Sequence, residues 1–169
     1  YTNDSTGAFS HCAAFAPYNS GITVFVALGS GHQWTLGFAH QGWKLQQGEN
    51  FPIVLTFDGN EQFNVFGNAQ TSDFVVVPMP QNSTLLSQFR KANGMTALAK
   101  GNAFQFALTS TSQLMLVLSN CVDRMNRGGV KAAGDFSVNS PTWTAQPAAT
   151  PQPAAPVTVQ SSLGGENPE

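Results

Sequence analysis

The sequence predicts an α+β fold that is mostly β: a small antiparallel barrel or sandwich with two helices and an extended Pro-rich C-terminal tail. Three observations carry this expectation. Short Phe- and Val-rich segments recur between Gly, Asn and Asp turn clusters from residue 9 onward. Two stretches, after Pro80 and after Ser110, change to helical spacing. Beyond residue 130 periodicity disappears, and residues 140–156 hold five prolines interleaved with Ala and Thr. The chain therefore divides into a polar lead-in (1–8), a β-rich globular domain (9–129) and an extended Pro/Ala-rich tail (130–169).

Phe9–Ala16 reads as the first strand, and the Pro17–Gly21 cluster turns the chain. Ile22–Leu28 follows, rich in β-branched and aromatic residues. Gly29-Ser-Gly31 turns it into Gln33–Ala39, where Trp34, Leu36 and Phe38 share one face. Trp43-Lys-Leu45 continues this strand briefly after the break at Gln41-Gly42. Phe51–Phe57 is a strand in which Pro52 is tolerated only near the start or at an edge. Asp58-Gly59 is the strongest hairpin signal, returning the chain into Glu61–Phe66. Asp73–Pro78 is another apolar strand.

Asn82 or Ser83 caps a first helix carrying Leu85, Leu86 and Phe89, with Arg90 and Lys91 at its cation-favouring end. Asn93-Gly94 stops it. Met95–Ala99 and Ala103–Leu108 pair around Lys100-Gly101-Asn102. Ser110–Met125 is the second helix, capped by Ser110 or Thr111. Its apolar face is Leu114, Val117, Leu118, Cys121, Val122 and Met125. A strand over Leu114–Leu118 is the alternative. Asp123–Gly129 reads as a charged turn.

Only 9% of the 169 residues are charged, the net charge is −2, and no basic stripe is visible. Electrostatic capture of nucleic acid is therefore not expected. The longest apolar runs are too short to span a bilayer, so membrane association is expected only through a partner. The chain opens at Tyr1 without Met, as a processed or truncated product would. Cys12 and Cys121 sit at the ends of expected elements without a zinc-type pattern. A Cys12–Cys121 disulfide is expected, with two buried free thiols as the alternative. The pairing and the low-charge composition together point to export, to the periplasm or the cell surface.

No catalytic constellation stands out. Ser30, His32 and Asp58 can be assembled into a triad on paper, but any Ser-rich chain permits that. His32, His40 and Asp58 make a weak metal set, and neither metal nor cofactor is expected. Aromatics carry the stronger signal. Trp34 and Trp43 flank a turn and serve either as core or as partner-binding anchors. Trp143 heads the Pro-rich tail and packs either on its own domain or into a neighbouring subunit.

The combination of Phe9-Ser-His-Cys12, Trp34-Thr-Leu36, Gly42-Trp-Lys-Leu45, Phe104-Gln-Phe-Ala-Leu108 and Leu118-Ser-Asn-Cys-Val122 resembles a poorly characterised β-rich domain of exported alphaproteobacterial proteins. That domain is sometimes found C-terminal to trypsin-like protease domains. The likeness covers residues 9–122. It implies an exported, disulfide-closed accessory module and brings no catalytic residues. The expected function is a non-catalytic structural or accessory subunit in contact with a protein partner or larger assembly, with the tail docking on that partner. A glycan- or peptidoglycan-binding module using an exposed Trp is the alternative, and a hydrolase comes after both.

Overall fold

The computed structural model describes residues 2–6 and 8–132. The fold is mostly β with two helices, as the sequence indicates. The elements run β1 (Thr2–Asn3), β2 (Phe9–Pro17), β3 (Thr23–Gly29), β4 (Trp34–Ala39), β5 (Asn50–Phe57), β6 (Gln62–Ala69), β7 (Phe74–Pro78), α1 (Ser83–Lys91), β8 (Gly94–Ala99), β9 (Asn102–Ala107) and α2 (Thr111–Ala132). Among the described residues, one antiparallel sheet contains every strand, in the order β1-β2-β3-β4-β7-β6-β5-β8-β9. Between barrel and sandwich, the chain adopts a single sheet curled into a half-barrel. The curl brings distant strands together. Phe38 of β4 lies 5.5 Å, ring to ring, from Phe106 of β9, and the Tyr18 hydroxyl donates to the Ala107 carbonyl at 2.7 Å.

Strand period 2 builds the core. Val24, Val26 and Leu28 of β3, Trp34, Leu36 and Phe38 of β4, and Phe51, Ile53, Leu55 and Phe57 of β5 all point inward and are buried. Burying a side chain of this size stabilises by roughly 1.5–3 kcal/mol. The helices close one end of the half-barrel, where Phe89 of α1 packs on Trp34 at 5.0 Å and on Phe57 at 6.2 Å.

Turn chemistry sets the register. Asp58 and Gly59 both adopt positive φ (49° and 72°) at the centre of a turn that the Asn60 N–H closes by donating to the Phe57 carbonyl. The Asp58 carboxylate then accepts from the backbone N–H groups of Asn93 and Gly94, fixing the start of β8. Lys100 and Gly101 repeat the positive-φ pair between β8 and β9. Pro52 faces solvent at a point where β8 does not yet accompany β5, since that pairing starts at Ile53. Asn82 caps α1, its side-chain oxygen accepting from the N–H groups of Thr84 and Leu85.

Several expectations change. The lead-in contains a short edge strand: Thr2 and Asn3 pair with His11 and Phe9, and Asp4 closes the turn by accepting from Thr6 and Ala8. Trp43–Leu45 does not extend β4. It belongs to a loop that bonds to the β6–β7 turn through His40 to Asp73 and Leu45 to Ser72. The second helix does not stop at Met125 but runs to Ala132 across a kink at Gly129, so Asp123–Gly129 is not a turn. Its buried face is Met115, Leu118, Val122 and Met125, while Val117 is 54% exposed. Five consecutive apolar residues, Leu114–Leu118, leave the face undecided locally, and packing on β2 and α1 chooses it. Thr111 does not cap its own helix: its buried hydroxyl donates to the Phe89 carbonyl at the end of α1.

The Cys12–Cys121 disulfide ties β2 to α2 across a sequence separation of 109. Among the described residues no helix is long and apolar enough to cross a membrane.

Candidate functional site

The end of the half-barrel opposite the helices holds an apolar pocket. Its floor is Phe38, Ile53, Val75, Ala97 and Phe106, inward residues of β4, β5, β7, β8 and β9. Its rim is Trp43 and Leu45 from the β4–β5 loop, Phe104 of β9, and the Lys100–Asn102 hairpin. The cavity measures about 140 Å³. Lys100 and Asn102 are the polar residues of the lining.

A glycine lets the pocket wall pack closely. Gly67 of β6 faces inward without a side chain. A Cβ there would lie 2.8 Å from Ile53 Cδ1 and 2.9 Å from Val75 Cγ1, so these two wall residues occupy space that any larger residue would claim. Trp43 is held at the rim by its neighbours. Its backbone N–H donates to the His40 carbonyl, its indole lies 5.7 Å from the His40 ring, and it meets Phe104 edge-on at 6.2 Å. His40 Nδ1 in turn accepts from the Gly42 N–H. Lys100 pairs with Glu49, and its ammonium stands 5.1 Å from the Phe51 ring centroid. That pairing holds the Glu49 carboxyl below its ordinary range.

The residues singled out by sequence fall in different places. Trp43 is half-buried at the pocket rim. Trp34 is 5% exposed and packed on Phe89, so no partner reaches it without opening the core. Trp143 lies outside the described residues. Cys12 and Cys121 form the disulfide. His32 does not meet Asp58. Its Nε2 pairs with Asp123 at 3.2 Å, and beside it Asn126 donates to the Ser30 carbonyl, so these groups pin α2 to the β3–β4 hairpin. Asp58 is occupied by the start of β8. His32 and His40 stand on either side of β4. Among the described residues no three His, Cys, Asp or Glu groups gather as a metal site would need.

The outer face of the sheet carries a second feature. Phe15, Phe25 and Phe74 form a row across β2, β3 and β7, with ring separations of 6.0 and 5.4 Å. Gly37 lies beneath this row, and a Cβ there would touch both Phe25 and Phe74. Phe15 is 71% exposed and Phe66 67%.

The sequence left Trp43 open between core and binding anchor, and it did not bring out Phe104 and Lys100 as parts of the same pocket. The β8–β9 hairpin that carries them meets the Trp43 loop only through the order of the folded sheet. Comparison of the chain with protein-family models, with curated proteins and with solved structures finds no match.

Proposed function

We propose that the chain is a non-catalytic, exported binding module whose mouth pocket receives a small apolar group. The observation that carries this reading is the lining. A cavity of about 140 Å³ walled by Phe38, Phe51, Ile53, Val75 and Phe106 favours burial of an apolar body. It offers little to the hydroxyls of a sugar, which need a hydrogen-bond partner for each buried polar atom. This weighs against the glycan alternative. Export is supported by the disulfide, since such bonds persist in oxidising compartments.

Benzene serves as the test ligand. Added to the oxidised protein, it should shift the amide resonances of Phe38, Phe51, Ala97 and Phe104 saturably and leave those of Phe15 and Phe66 in place. Ala99→Leu, which fills the pocket from a half-buried wall position, should abolish the shifts with the fold retained. Shifts that never saturate, or that spread evenly over the surface, would refute the reading.

The aromatic row, half-buried at Phe25 and Phe74 and exposed at Phe15, favours a second reading, that of an accessory subunit held against a protein partner. Exposed apolar patches of this kind mark contact surfaces. Phe15→Ser should then reduce co-purification with the larger assembly, and unchanged recovery would count against it.

A further inference from the structure

We infer that the ligand of the mouth pocket is a small carboxylic acid: one aromatic ring, or a branched alkyl group of similar size, joined by a short chain to a carboxylate that Lys100 receives. This rests on the reading of the pocket as a binding site and adds the identity of what it holds.

Volume limits the body. A cavity of about 140 Å³ is close to the roughly 150 Å³ apolar cavity known to hold benzene, so the part of a ligand buried there is about one ring in size. Lining limits its chemistry. The deep walls are Ile22, Phe38, Ile53, Val75, Ala97 and Phe106, so a polar atom placed among them would lose its water without gaining a partner.

Polarity is gathered on one side of the rim. Lys100 sits at the β8–β9 hairpin, whose positive-φ pair Lys100-Gly101 fixes the turn. Its ammonium lies 5.1 Å from the ring centroid of Phe51, which is itself a wall of the pocket. An ammonium has three donors, and Glu49 engages it from the loop side, which leaves donors for a second acceptor. Asn102, the other polar rim residue, spends one of its two amide N–H donors on the Lys100 carbonyl. A ring in the cavity with a chain of two or three methylenes brings a carboxylate to the ammonium. A ligand ammonium would instead meet a like charge there, and an alcohol would gain only an uncharged acceptor. Glu49 competes with the incoming carboxylate for the same cation, so the site carries its own restraint on affinity.

The experiment compares 3-phenylpropionate, 3-phenylpropan-1-ol and 3-phenylpropan-1-amine by NMR titration of the oxidised chain. The acid should bind about tenfold more tightly than the alcohol, as a charge-assisted bond does over a neutral one, and the amine more weakly than either. Lys100→Met should bring the acid to or below the affinity of the alcohol, and should weaken the alcohol, which loses only an uncharged acceptor contact, less than the acid. Glu49→Gln should tighten acid binding by about threefold, a gain that damage to the fold would not produce. Equal affinities for acid and alcohol in the unaltered chain, or an acid affinity indifferent to Lys100→Met, would overturn the carboxylate assignment while the pocket reading stands. Failure of all three compounds to move pocket resonances would bring down the pocket reading itself.

Discussion

Replacing both Cys12 and Cys121 with alanine should cost the domain roughly 5 kcal/mol. The bond closes a loop with a sequence separation of 109, and the chain-entropy relation gives a little under 5 kcal/mol at 25 °C for a loop of that length. Cys12 is 1% exposed, so removing its sulfur adds a transfer and packing loss of about 1 kcal/mol. Residual order in the unfolded chain works in the other direction and trims the entropic part. Domains of this size have total stabilities of about 5–15 kcal/mol, so the loss takes a third or more of what holds the fold together. Guanidinium unfolding monitored by tryptophan fluorescence measures it, with Trp34 in the core as a reporter. The unaltered protein unfolded in reductant should match the double variant to within about 1 kcal/mol, because both lack the same closure. A double variant whose unfolding free energy falls by less than about 1 kcal/mol would show that the tie between β2 and α2 is not what restrains the unfolded chain.

Two other outcomes follow from the structure. Gly67→Ala should destabilise by about 1–3 kcal/mol, because its methyl group would enter the space of Ile53 Cδ1 and Val75 Cγ1; chemical denaturation checks this, and a neutral effect would mean that the pocket wall yields freely. Burial lowers the pKa of His11 from its ordinary 6.5, so the folded state favours the neutral ring. The unfolded chain then takes up the proton first, and this contribution to stability, present above pH 6.5, is lost as pH falls from there through the folded value. His11→Asn should flatten the pH dependence in that window, and an unchanged slope in thermal melts would remove His11 as its source.

Much of the fold could be read locally. Alternation placed the strands of the meander, Asp58-Gly59 gave the β5–β6 hairpin, and Asn82 gave the start of α1. Each of these rests on interactions within a few residues along the chain. The rest depends on partners far apart. Nothing near Phe74 announces that β7 inserts between β4 and β6, so the neighbours of the pocket could not be listed in advance. The run Leu114–Leu118 is apolar on every side, and only the packed surfaces of β2 and α1 decide that Val117 faces water. Trp43 looked like a strand residue because it follows one closely. Its position is instead set by loop bonds to Ser72 and Asp73, some thirty residues on. Lys100 read as a hairpin residue, and its role at the rim emerges only when β5 and β8 are side by side.

The sheet order has a mechanical consequence. β7 pairs with β4 at five positions but with β6 at only two, Asn68 with Val76 and Ala69 with Val75. The β6–β7 junction is thus a suture between two plates, β1-β2-β3-β4-β7 and β6-β5-β8-β9. The pocket straddles it, taking Phe38 and Val75 from one plate and Phe51, Ile53 and Phe104 from the other. An occupant that touches both plates acts as a rivet, and linkage makes the suture open less often once the rivet is in place. Hydrogen exchange at Asn68 and Val76 would register that change in rate without any visible shift in the average structure.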